Sequence, residues 1–82
     1  MKVQVSVFPI AGTTEKKQEL QITMEKGSLE EALARIEERL DINLPKIETL
    51  LLLRNGQGLN KNEELILKDG DQLWVLPQLS GG

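Results

Sequence analysis

The sequence has no cysteine, no histidine and no tyrosine. Without cysteine there is no disulfide, no thiolate nucleophile and no sulfur ligand for zinc. Without histidine, the other common zinc ligand is missing, as is the side chain best suited to moving protons near neutral pH. Any enzyme built from this chain would have to work with carboxylates, lysines and hydroxyls, so the expectation is a protein that is not an enzyme and holds no metal. Aromatics are nearly absent, with only Phe8 and Trp74. Leucine, isoleucine and valine must therefore build the core. No basic patch interleaved with stacking platforms is available, which argues against nucleic acid as a partner. No apolar run approaches the roughly 20 residues of a membrane span. Met1-Lys2 leads straight into a strand pattern rather than a secretory signal, so a cytoplasmic location is expected. Neither sign of charge dominates: the net charge is −3, and the two signs are interspersed.

What is there is periodicity. Val3, Val5 and Val7 alternate with polar residues over Lys2–Val7, the pattern of a half-buried strand. Pro9 ends that run, and Ala11-Gly12-Thr13-Thr14 reads as a loop. Leu20, Ile22 and Met24 alternate again over Gln18–Met24, so the first two strands make an antiparallel hairpin. Gly27-Ser28 marks a boundary. Ser28 is a good N-cap, and Glu31 stands at the capping-box spacing. A helix is expected over Leu29–Leu40, with Leu29, Ala32, Leu33, Ile36 and Leu40 on one face. Pro45 restricts the residues before it and helps to end that helix. Thr49–Arg54 is apolar without alternation, as in a central strand or one covered on both faces. Asn55-Gly56 is the dipeptide most favoured in two-residue hairpin turns. Leu65-Ile66-Leu67 is an apolar patch too short for an element. Gly70, in Lys68-Asp69-Gly70-Asp71, is expected at positive φ in a tight turn. Gln72–Leu76 is the last strand.

One amphipathic helix among hairpin strands can cover only one face of a small sheet, and that is an α+β arrangement. The simplest closure sets the first and last strands side by side in the centre, with the helix across them. The other face stays open and needs a polar surface or a partner.

The chain closes on Ser80-Gly81-Gly82. Two terminal glycines add nothing to a core, and chance supplies them in about one chain in 200 at a glycine usage of roughly 7%. They make a thin arm that can enter a channel too narrow for side chains. The order of elements, Asn55-Gly56 after a strand, Leu67-Lys68-Asp69-Gly70-Asp71 before the last one, and the ending Leu76-Pro77-Gln78-Leu79-Ser80-Gly81-Gly82 together resemble the ubiquitin-like sulfur carriers, the MoaD and ThiS family. Within it the likeness is strongest to the small subunits of molybdopterin synthase. It implies a ubiquitin-like β-grasp: a mixed sheet of four to five strands with one helix packed across one face. Residues 1–76 would form the domain and 77–82 a flexible tail. Relatives commonly carry two consecutive prolines in the tail. Here Gln78 stands at the second, so a looser tail root with one added backbone donor is expected.

The resemblance also implies a chemistry. The Gly82 carboxylate is ionised in the cell and is a poor electrophile. It would be adenylated with ATP by a separate, ubiquitin-activating-like enzyme and converted to a thiocarboxylate by a sulfur donor protein. The sulfur would then pass to a molybdenum (or tungsten) cofactor precursor on the synthase large subunit. The carrier would need no bound cofactor and no catalytic side chain beyond Gly82, with Gly81 supplying the slender approach. Six residues from Pro77 reach roughly 20 Å at about 3.3–3.6 Å each. Trp74 and Leu76 share one sheet face, opposite Leu73 and Val75. With Phe8 and Leu59 they would form an exposed docking patch, continued by Pro77, Leu79 and Ser80 toward the tail. Other readings remain open at this level: a ThiS-like carrier for thiazole or another metabolite, a ubiquitin-like modifier conjugated through Gly82, or a plain interaction domain.

Overall fold

The computed structural model describes residues 1–60 and 66–78 of the chain. In chain order these form β1 (Lys2–Val7), β2 (Gln18–Thr23), α1 (Leu29–Leu40), a 3-10 turn at Ile47–Thr49, β3 (Leu50–Arg54), β4 (Gln57–Gly58) and β5 (Gln72–Pro77). The strands make one mixed sheet in the order β2-β1-β5-β3-β4. β1 and β5 run parallel at its centre, and the other neighbours are antiparallel. The expected α+β architecture, the central pairing of first and last strands and the single helix are all present.

Alternation sets the inner face. Val3, Val5 and Val7 point inward from β1 and are buried, as are Ile22 from β2 and Leu73 and Val75 from β5. From α1, Leu29, Ala32 and Ile36 meet them, with Leu33 and Leu40 half-buried at the margins. The helix starts as its sequence dictates. Ser28 has extended backbone angles, and its Oγ accepts from the Glu31 N–H at 3.1 Å. The reciprocal half of the capping box differs from the simple pattern. The Glu31 carboxylate reaches past Ser28 and accepts from the N–H groups of Glu25, Lys26 and Gly27 at 2.8, 2.8 and 2.9 Å. Those bonds, that of Glu25 foremost, hold its carboxyl below the usual glutamate range. One side chain thus fixes the whole β2–α1 connection.

Gly27 is needed there for two reasons. Its φ is +82°, and a Cβ at this position would lie 2.7 Å from the Leu67 carbonyl oxygen. Its own carbonyl accepts from the Leu67 N–H at 2.7 Å. That bond pins Leu67 into the core. The patch read at Leu65-Ile66-Leu67 therefore divides: Leu67 is buried, Ile66 is 56% exposed, and Leu65 lies outside the described residues.

At Asn55-Gly56 both φ values are positive, 50° and 84°, so the β3–β4 hairpin turns as the dipeptide predicts. Gly70 has φ +87°. β3 takes the first of the two alternatives read for it, with β5 on one side and β4 on the other. It is not covered on both faces: Leu50 and Leu52 are buried, but Leu51 is 42% exposed on the open side. The leucine run hides an ordinary alternation because both of its faces are apolar. Among the described residues, no helix is long and apolar enough to cross a membrane.

Candidate docking face and tail root

β5 builds the candidate site. Leu73 and Val75 take the inner face, so Gln72, Trp74 and Leu76 face away from α1. Register then decides their neighbours. Leu53 lies opposite Trp74, Leu51 opposite Leu76, and Ser6 of β1 beside Trp74. Phe8, one residue past β1, reaches the same face, and its ring centroid is 5.6 Å from that of Trp74 at an interplanar angle of 59°. Leu51, Leu53, Trp74, Leu76 and Phe8 thus form a continuous apolar stripe on a sheet face that no helix covers. Trp74 is 37% exposed; its neighbours hold the ring in place while leaving part of it to solvent.

The rim is polar. Lys17 Nζ stands 5.0 Å from the Phe8 ring centroid and 3.2 Å from Glu19 Oε1. Next to it is a shallow depression of about 310 Å³, lined mainly by Gln4, Ser6, Lys17, Glu19, Gln72 and Trp74.

Three of the expected patch residues, Phe8, Trp74 and Leu76, come together. Leu59 does not join them. Gly58 pairs with Leu53 on the open face, so alternation turns the next residue to the other side, where Leu59 packs against the core. Leu51 and Leu53 take its place. Sequence reading missed both because the leucine run shows no polar face. The pairing of β3 with β5, which sets Leu51 and Leu53 beside Leu76 and Trp74, was not read from the sequence.

Pro77 ends β5 opposite Leu50. Val75 accepts on the β1 side, from the Phe8 N–H at 2.8 Å. By alternation, the donor that Pro77 lacks would also have pointed toward β1, where that strand has already ended. This is why a proline is tolerated in a strand flanked on both sides. Gln78 continues the pattern toward β3, its N–H donating to the Thr49 carbonyl at 3.1 Å. The looser root expected from the missing second proline is not what the structure has: the added donor makes one more rung. Leu79, Ser80, Gly81 and Gly82 lie outside the described residues.

The other end of β5 is anchored by charge. Asp71 is only 8% exposed. Its carboxylate accepts from the Lys68 N–H at 2.8 Å and the Asn55 side-chain amide at 3.1 Å, and it pairs with Arg54 Nε at 3.0 Å. Burial pushes its pKa up, but the Lys68, Asn55 and Arg54 contacts together outweigh burial and leave it below the usual aspartate range. Asn55 in turn accepts from the Gln72 N–H through its Oδ1 at 2.9 Å, so the hairpin turn is bolted to the start of β5.

No protein-family model matches this sequence, and no curated protein matches it. Solved structures do. One neighbour is a chain from the protein–protein complex of subunits 1 and 2 of molybdopterin-converting factor from Helicobacter pylori 26695, with a TM-score of 0.57, 25% identity and 100% of both chains covered. Another is SAMP1 from Haloferax volcanii, with a TM-score of 0.62, 21% identity and 100% of both chains covered. The chain has the ubiquitin-like β-grasp fold. The likeness to ubiquitin-like sulfur carriers, first read from turns and tail, is borne out by these neighbours. In this β-grasp domain the open face is a separate surface from the core, and β5, the middle strand of the sheet, contributes to both.

Proposed function

We propose that this β-grasp protein is a sulfur carrier of the molybdopterin-synthase small-subunit kind. The observation that carries the reading is the juxtaposition at the end of β5. The strand that exposes Trp74 and Leu76 is the same strand that leads into Ser80-Gly81-Gly82. A docking face and a slender reactive arm on one strand suit a protein that is handed between enzymes. The full-length similarity to a chain from a two-subunit molybdopterin-converting factor complex supports a synthase large subunit as one partner.

The chemistry needs no side chain of the carrier. A carboxylate oxygen of Gly82 attacks the α-phosphorus of ATP on the activating enzyme and expels pyrophosphate. Hydrosulfide released by a donor protein then attacks the acyl carbon and expels AMP, and loss of its proton leaves a thiocarboxylate. On the large subunit that sulfur passes to the cofactor precursor, and the carboxylate is restored by water. The protein itself binds no cofactor, and it works in the cytoplasm, where ATP is supplied. Phe8, Leu51, Leu53, Trp74 and Leu76 seat against the partner, with the tryptophan as anchor.

Intact-mass spectrometry after incubation with the activating enzyme, ATP and a sulfide source tests this reading. The expected gain is the difference between one sulfur and one oxygen. It should vanish when Gly82 is deleted, while circular dichroism stays unchanged. No mass gain with an activating enzyme proven active, or full transfer from a carrier extended beyond Gly82 and left untrimmed, would refute it.

A further inference from the structure

We propose that the Thr49–Gln78 rung is a clamp that fixes where the arm leaves the sheet, making the backbone N–H of Gln78 a positioning group for the Gly82 carboxylate. This rests on the sulfur-carrier reading above. The acceptor side of the rung is preset. The Thr49 N–H donates to the Lys46 carbonyl at 2.8 Å, and its Oγ1 donates to the same oxygen at 2.6 Å. The Leu50 N–H closes the 3-10 turn onto Ile47. Leu50 itself is buried and Ile47 packs against the core. The Thr49 carbonyl therefore sits on a corner held from both sides and aimed at the strand end.

The donor side depends on residue type. At position 78 a proline would have no N–H and the rung could not form. With glutamine it forms, and the sheet contacts of the described residues extend one position beyond Pro77. Counting the residues after each anchor, the four that follow Gln78 span at most roughly 14 Å, against roughly 17 Å for the five that follow Pro77. The clamp thus narrows the positions that the carboxylate can sample while the apolar stripe is docked. A reactive group held at a limited reach meets its target more often, because part of the orientational entropy is already lost in the free carrier. The Gln78 side chain is exposed, so the role belongs to the backbone.

Two variants of the full chain separate backbone from side chain: Gln78→Ala, which keeps the N–H, and an α-hydroxy acid at position 78, which replaces that amide with an ester. The readouts are amide hydrogen exchange in the free protein and ATP–pyrophosphate exchange with the activating enzyme. The Gln78 amide should be protected in step with those of Trp74 and Leu76. Gln78→Ala should match the parent. The ester should lower kcat about two- to ten-fold, the scale of one hydrogen bond, with KM unchanged because the docking stripe is intact. A Gln78 amide that exchanges as an open one does, or an ester variant with unchanged kcat, overturns the clamp. A parent chain that supports no pyrophosphate exchange refutes the sulfur-carrier reading, and the positioning role falls with it.

Discussion

Removing the Asp71 carboxylate should be among the most damaging single changes outside the apolar core. Asp71→Ala deletes the acceptor for the Lys68 N–H, the Asn55 amide and the Arg54 guanidinium together. Hydrogen bonds to a charged group contribute about 1.5–3 kcal/mol each but are not additive, and breaking a buried pair costs about 3–5 kcal/mol. Arg54 is only half-buried and can recover some hydration, so a loss of about 2–4 kcal/mol is expected. In a domain of this size that is a drop in Tm of roughly 10–25 °C. Urea unfolding at neutral pH measures it, with Asp71→Asn as the partial case that keeps an acceptor but loses the charge. A loss below about 1 kcal/mol would refute the claim that this cluster holds the β3–β4 turn to β5. The same cluster predicts a pH dependence. The folded carboxyl binds its proton less tightly than the unfolded one, whose pKa is near the ordinary value of about 3.9. The stability it adds is complete above that value and disappears as pH falls through the lower folded pKa. Glu31 shifts in the same direction. The parent should therefore weaken steeply below about pH 4, and Asp71→Ala less so.

Two further changes separate core from surface. Ile36→Ala, at a fully buried helix position facing the sheet, should cost about 2–5 kcal/mol; a change below about 0.5 kcal/mol in urea would show that α1 packs through another face. Trp74→Glu should lose about 1 kcal/mol, because the ring is partly covered by Phe8, yet give a folded circular-dichroism spectrum and a clearly weaker titration against the large subunit; a folded variant with unchanged affinity would dismiss the stripe as a docking face.

Most of the fold was legible because its signals were local. Val3, Val5 and Val7 alternate, Ser28 and Glu31 bracket a helix start, and Asn55-Gly56 admits few other conformations. What escaped the sequence depended on contacts between distant segments. Gly27 looks like an ordinary boundary residue until the Leu67 carbonyl is seen where a Cβ would stand. Asp71 looks like part of a surface turn until Arg54 and Asn55 close over it. Leu59 was misplaced for a different reason. A loop residue has no fixed face until its strand register is known, and the two-residue β4 was not recognised. Leu51 and Leu53 were hidden by composition, since a strand with two apolar faces shows no contrast. Gln78 was read for what it lacks, a ring, and its gain, a donor, mattered only once the Thr49 carbonyl was found in front of it.

β5 shows how one short strand can carry opposing demands. Inward residues must fit a packed interior: Leu73 and Val75 are buried against β1, β3 and α1, and their loss would register as stability. Outward residues one step away, Trp74 and Leu76, remain partly accessible, and their loss should register mainly as affinity. The strand's first end is fastened by the Asp71 cluster, and among the described residues a backbone rung from Gln78 to Thr49 follows its last end. This asymmetry follows from what each end must do. The start of β5 needs only to stay in place, so a buried charge with three partners suits it. On the sulfur-carrier reading proposed above, the end must hold a register yet leave the reactive arm free to enter a partner, and a neutral hydrogen bond, contributing on the order of 1 kcal/mol, suits that demand.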